Sequence, residues 1–139
     1  MERIIEVSGL KKSYGDVEAV KGIDFYVERG SLFAFLGPNG AGKTTTINIL
    51  STLLKPDEGE VIIDGYMIGR EDDKIRSVIG IVFQDHVLDD LLTVKENMTV
   101  RGSIYHTNKK TLRAAIDYAA QITGVVSYQN RLYGKLSGG

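Results

Sequence analysis

The residues Gly37-Pro38-Asn39-Gly40-Ala41-Gly42-Lys43-Thr44-Thr45 have the composition of a phosphate grip. They satisfy the pattern G-x-x-x-x-G-K-[ST] of a P-loop without a mismatch. Gly37, Gly40 and Gly42 carry no Cβ, so the backbone can bend tightly and come close to a ligand. Successive backbone N–H groups then face one concavity, which suits an anion. A helix starting at this point adds unpaired N–H groups and the positive end of its dipole. Lys43 is suited to reach the terminal phosphates of a nucleotide, and the Thr44 hydroxyl to ligate Mg²⁺. A P-loop by itself does not name an activity, because kinases, GTPases, motors and transport ATPases all carry one.

The flanking residues predict the elements this loop needs. Ser31–Leu36 is a short apolar, aromatic-rich run, which reads as a buried strand. After Lys43, Ile47, Leu50 and Leu54 fall at helical spacing within Thr44–Leu54. Strand, loop and helix follow in the order the motif requires. Elsewhere, Arg3–Ser8 and Ile23–Glu28 read as strands of an antiparallel lobe, to which Val61–Asp64 returns. Leu32–Leu36 enters the core, and Ile79–Phe83 is expected as a second core strand. Asp72–Val78 reads as a short helix. Leu91 to Tyr105 reads as another, with the capping-box pattern Thr93-Val94-Lys95-Glu96. A further helix is expected from about Lys109 to Thr123, with Asn108 as N-cap and Gly124 just past its end. Leu112, Ala115, Ile116, Ala119 and Ile122 form its apolar face.

Three features outside the P-loop narrow the reading. Tyr14 follows Lys12-Ser13 in a turn upstream of the loop. Gln84 ends the apolar run Gly80-Ile81-Val82-Phe83. The chain closes on Leu136-Ser137-Gly138-Gly139. With these residues in this order, the sequence resembles the nucleotide-binding domains of the ATP-binding cassette (ABC) transporter family. The turn Lys55-Pro56-Asp57-Glu58-Gly59-Glu60 and the strand after it are similar to the family as well. The resemblance covers the whole chain, and it looks closest to the bacterial drug-efflux and lipid-export branch.

The resemblance implies an α/β fold: a P-loop NTPase core, an antiparallel β lobe and part of a helical subdomain at about residues 85–139. Residues 1–139 would be the N-terminal part of a single nucleotide-binding domain, without its C-terminal strands. ATP and Mg²⁺ are the implied cofactors. Tyr14 would stack on adenine, since an aromatic face suits a flat base. Gly37 to Thr45 would hold the phosphates. Gln84 matches the family's glutamine loop, which touches Mg²⁺ and the attacking water and couples the site to the membrane partner. A side-chain amide suits that role, because its oxygen can ligate metal while its NH₂ donates. Ser137, Gly138 and Gly139 match the start of the LSGGQ signature, which contacts the γ-phosphate held by the opposite subunit. The implied partners are a transmembrane permease and a second nucleotide-binding domain. The implied place is the cytoplasmic face of the cell membrane.

Family members continue past the signature into a Walker B aspartate, a catalytic glutamate and a switch histidine. His86 and His106 both precede the signature, so neither matches the last of these. His86 reads as a polar loop residue and His106 as a helix-end residue. The expectation is therefore a phosphate grip whose capacity for turnover stays open. A binding-only module and a soluble, non-transport cassette ATPase remain as alternatives. In the family, strands encoded after the signature lie between the P-loop strand and the glutamine-loop strand. The two core strands are thus expected to leave a gap in a parallel sheet, closed by rearrangement or by self-association.

Composition bounds the rest. Seventeen Lys and Arg against 18 Asp and Glu give a net charge of −1 over 139 residues. That balance argues against a nucleic-acid surface. With no cysteine, disulfides and thiolate metal sites are excluded. The N-terminus carries charges and no apolar core, unlike a signal peptide. No run approaches the roughly 20 apolar residues of a membrane span.

Overall fold

Strands β1 (Arg3–Tyr14) and β2 (Val17–Glu28) form one antiparallel hairpin, each 12 residues long. Its two-residue turn begins at Gly15, whose φ of 57° belongs to the turn class that matches strand twist. Both strands run further than the sequence patterning predicts. The patterning stops β1 at Ser8, yet the next residue, Gly9 (φ 59°), sits where a bulge inserts one extra residue between the pairs Val7–Phe25 and Leu10–Ile23. The bulge explains why Val7 and Leu10 both point inward although they are three apart. β3 (Glu58–Ile63) pairs with β1, and the short β4 (Tyr66–Met67) pairs with β3, giving an antiparallel sheet of order β2-β1-β3-β4.

In this computed structural model the described residues are 2–82 and 88–136, and the chain divides into two compact units, Met1–Val82 and Phe83–Gly139. The first unit packs α1 (Lys43–Leu50) and α2 (Asp72–Val78) on the sheet. Its core is Val7, Leu10, Val20, Ile49, Val61, Ile63, Ile68 and Ile75. α1 stops at Leu50 rather than near Leu54. Thr52 takes a left-handed φ of 61°, and the N–H groups of Leu53 and Leu54 both turn back to the Asn48 carbonyl. The buried residues of α1 are Thr46 and Ile49, whereas the expected Ile47 is half exposed.

Two expected core strands are not strands here. Residues 31–38 and the described residues 79–82 carry no ladder, and Leu32, Leu36 and Val82 are 99%, 91% and 98% exposed. A strand exists only when a neighbour accepts and donates its backbone hydrogen bonds. Among the described residues no strand pairs with either segment, although Phe33 and Phe35 pack their rings on Phe25 of β2.

The second unit holds α3 (Val94–Ser103) and α4 (Lys109–Ile122), followed by 3-10 turns at Val125–Tyr128 and Tyr133–Lys135. The Thr93 capping box and the Asn108 N-cap are both present. Gly124 lies past the end of α4 with a φ of 71°. Ile116 and Ala120 are the buried residues of α4, while Ile122 at its last turn is exposed. His106 lies just beyond α3, its N–H on the Gly102 carbonyl.

Candidate functional site

The P-loop is shaped by one close approach. Gly42 has a φ of 79°, and a Cβ placed on it would lie 2.4 Å from the Ala19 carbonyl oxygen and 3.2 Å from Val20. Only glycine accepts both the left-handed backbone and the contact. The loop is thereby seated on β2, a few residues from the hairpin turn. α1 starts on this glycine with no side-chain cap.

The consequence is a row of donors without acceptors. Among the described residues, no protein group accepts from the backbone N–H of Gly42, Lys43, Thr44 or Thr45, and the first helical bond closes only at Thr46, onto the Gly42 carbonyl at 2.8 Å. Four adjacent N–H groups at a helix start form a natural anion site. Lys43 folds over its own loop, with Nζ donating to the carbonyls of Gly37 at 2.7 Å and Pro38 at 2.6 Å. The ammonium is thus held beside the same cradle. Thr44 is exposed, with no hydrogen bond from its hydroxyl among the described residues, which leaves that oxygen open to a metal. Donors, cation and hydroxyl together fit a polyphosphate with its metal.

Tyr14 stands at the tip of the β1–β2 hairpin, half exposed, without a ring partner among the described residues. It shares the hairpin with Ala19 and Val20, on which the P-loop rests. The structure thus brings Tyr14 and residues 37–45 into one unit. Gln84, His86, Ser137, Gly138 and Gly139 lie outside the described residues.

Two polar side chains that the sequence did not single out hold nearby backbone in place. Asp57 accepts from the Ser13 N–H at 2.8 Å and pairs with Lys12 Nζ at 2.5 Å. Both contacts hold its carboxyl below the usual range, the Lys12 bond contributing most. The signal available in the sequence was its place in the Lys55–Glu60 turn. In the second unit, buried Asn97 accepts from the Asp89 N–H at 2.8 Å and donates to the Asp89 and Thr93 carbonyls at 2.9 and 3.2 Å. It fixes the turn that leads into α3. Nothing in the sequence separates it from an exposed helical asparagine.

Comparison with known proteins gives concordant results. The sequence profile described as "ABC transporter" matches residues 20–139. The daunorubicin resistance ATP-binding protein DrrA3 of Streptomyces coeruleorubidus is 42% identical over 113 residues, covering 81% of this chain and 36% of the relative. The SkfA peptide export ATP-binding protein SkfE of Bacillus subtilis is 34% identical over 137 residues, covering 99% of this chain and 56% of the relative. Among solved structures, cbiO1 from Clostridium perfringens, described as part of the ABC transporter complex cbiONQ, superposes with a TM-score of 0.86 at 30% identity. That superposition covers 99% of this chain and 57% of the other. The chain therefore spans between about a third and somewhat over half the length of these proteins.

Proposed function

The chain belongs to the ABC transporter family, and on that premise we propose that it is the nucleotide-gripping part of an ATP-binding subunit that drives export. The observation that carries this reading is the uncapped start of α1, with four N–H groups that have no acceptor among the described residues and Lys43 beside them. Gly37, Pro38, Asn39, Gly40, Ala41, Gly42 and Thr45 wrap the phosphates. Lys43 leaves its carbonyl partners for the β- and γ-phosphates. Tyr14 takes the adenine ring. Thr44 and Gln84 are the proposed Mg²⁺ ligands, and Gln84 also senses the attacking water. Ser137, Gly138 and Gly139 serve a nucleotide held by a second nucleotide-binding domain. Bound Mg-ATP supplies the phosphoryl group whose transfer powers transport.

The unit Phe83–Gly139 is proposed as the helical subdomain that meets the permease. It carries an open, mostly apolar groove of about 720 Å³, lined by Leu88, Val94, Met98, Val125 and Tyr128 among others. No helix among the described residues is long and apolar enough to cross a membrane, so the proposed place at the inner face of the cell membrane depends on that permease. In the first unit, the unladdered segment 31–36 borders a second groove of about 580 Å³, lined by Phe25, Phe33, Phe35 and Ile47. Unpaired backbone beside apolar surface invites self-association. Sedimentation across a concentration series should show it, and Leu32→Lys should reduce it. No nucleic-acid partner is proposed, given the net charge of −1.

The deciding experiment is a calorimetric titration of the chain with Mg-ATP, with Lys43→Ala as control. Saturable binding that the substitution abolishes supports the reading. Binding that survives Lys43→Ala, or no binding by the unmutated chain, overturns it for this chain.

A further inference from the structure

Among the described residues the half-exposed Tyr14 ring has no stacking or cation–π partner, so its position depends largely on the backbone beneath it. That backbone is held from two sides. On one side, the P-loop rests on Ala19 and Val20 of β2, and Val20 pairs with Lys12 of β1. On the other side, Asp57 reaches β1 at three consecutive residues immediately before Tyr14. Its N–H donates to the Lys11 carbonyl at 3.0 Å, its Oδ1 pairs with Lys12 Nζ at 2.5 Å, and its Oδ2 accepts from the Ser13 N–H at 2.8 Å. Glu58 adds an ion pair to Lys11 at 2.7 Å.

The placement of this clamp in the chain matters. Asp57 lies in the turn that follows α1, and α1 begins at the P-loop. One short stretch of chain therefore builds the phosphate cradle at its start and grips the Tyr14 strand at its end. A carboxylate with both oxygens engaged resists rotation of the strand end more than a single bond does. The Lys12 side chain is 15% exposed and that of Asp57 44%, so the pair is partly open to solvent and the clamp rests on its several contact points more than on charge.

We propose that Asp57 is a positioning residue for nucleotide binding: it locks residues 11–13 so that the Tyr14 ring stands where a base attached to the P-loop phosphates must lie. This rests on the reading of Tyr14 as the base platform. Asp57 itself touches no part of the nucleotide. Its role is specific to the base and silent toward the phosphates.

The test compares Mg-ATP with Mg-tripolyphosphate, which keeps the phosphates and lacks the base. Affinities are measured in the 139-residue chain for the unmutated protein, Tyr14→Ala, Asp57→Asn and the double variant. Tyr14→Ala should weaken ATP by roughly tenfold or more, the scale of a lost base stack, and leave tripolyphosphate unchanged. Asp57→Asn should weaken ATP by roughly three- to tenfold, leave tripolyphosphate unchanged, and add nothing in the Tyr14→Ala background. Lys12→Met, which keeps the Ser13 bond, should move ATP affinity the same way by less. Equal loss of both ligands in Asp57→Asn, further loss in the double variant, or no loss at all would overturn the clamp. If Tyr14→Ala leaves ATP affinity unchanged, the platform reading fails first and the clamp falls with it. A ligand-free measurement decides independently. Asp57→Asn should shift the Ser13 amide resonance and speed its hydrogen exchange, and should change the Tyr14 ring signals. Unchanged signals would also sink the proposal.

Discussion

Helices α1 and α3 begin in opposite ways. At α3, every early donor has a protein partner: the Thr93 hydroxyl accepts from the Glu96 N–H at 3.2 Å, and the Val94 and Lys95 N–H groups reach the Arg131 and Gln129 carbonyls at 3.1 and 2.8 Å. At α1, glycine replaces the cap, no acidic residue lies in the first turn, and four N–H groups have no acceptor among the described residues. Open donors at a helix start are left to water or to a ligand, and a negative group accepting from them is stabilising. α3 is complete within the protein, whereas the first turn of α1 is left open, as the proposed phosphate site requires.

The largest effect that would sharpen this contrast is stabilisation by ligand. Mg-ATP at about a hundred times its Kd should stabilise the native chain by about 2.7 kcal/mol, because it binds the folded state alone. Lys43→Ala should lose most of that gain while its ligand-free stability changes little. Urea unfolding with and without nucleotide measures both. Equal stabilisation of the two proteins would mean that the open start of α1 is not where the ligand sits.

Next in size is Gly42→Ala. The new methyl group would meet the Ala19 carbonyl, and alanine would have to hold a φ of 79°. Strain of this kind costs about 1–3 kcal/mol. The chain should be destabilised by that order in urea, and nucleotide binding should be lost as the loop lifts from β2. Binding retained at full strength would show that the seat on β2 does not shape the cradle.

These contrasts also mark what could be read from residues alone. The P-loop, the Thr93 box and the Asn108 cap were legible because each is a local pattern whose chemistry closes within a few residues. α2 was legible to its ends for the same reason. Leu32–Leu36 was not, although its composition is that of a buried strand, because pairing is decided by a neighbour that composition does not specify. The strand expected over Arg3–Ser8 erred in the other direction, since a glycine that ends a strand and one that bulges it, as Gly9 does, look alike in sequence. Asp57 stayed hidden because its partners, Lys12 and Ser13, are more than 40 residues away along the chain.

Removing the cap of α3 should have a smaller effect and one confined to stability. Thr93→Ala deletes the hydroxyl that serves Glu96 and should cost about 1 kcal/mol in urea unfolding. Affinity for Mg-ATP should not change. A parallel loss of nucleotide affinity would mean that the two helix starts are not separate in function.

The smallest effect is a pH dependence that α3 has and α1 lacks. The Glu96 carboxylate accepts from the Thr93 N–H at 2.7 Å and from the Thr93 hydroxyl at 2.8 Å, and these bonds, the backbone one first, hold its pKa below the ordinary 4.5. A folded-state pKa below the unfolded one means that the unfolded chain binds the proton more readily. The contribution of this cap is therefore complete above the ordinary value and is lost as pH falls through the lower, folded one. The Thr93 amide resonance should follow that titration, and hydrogen exchange at the first turn of α3 should quicken on the acid side. In Glu96→Gln both changes should disappear. The first-turn amides of α1 have no carboxylate to follow, so they should stay level over the same range. Titration of the α1 amides in step with Thr93 would erase the distinction between a helix start closed by its own side chains and one left open for a ligand.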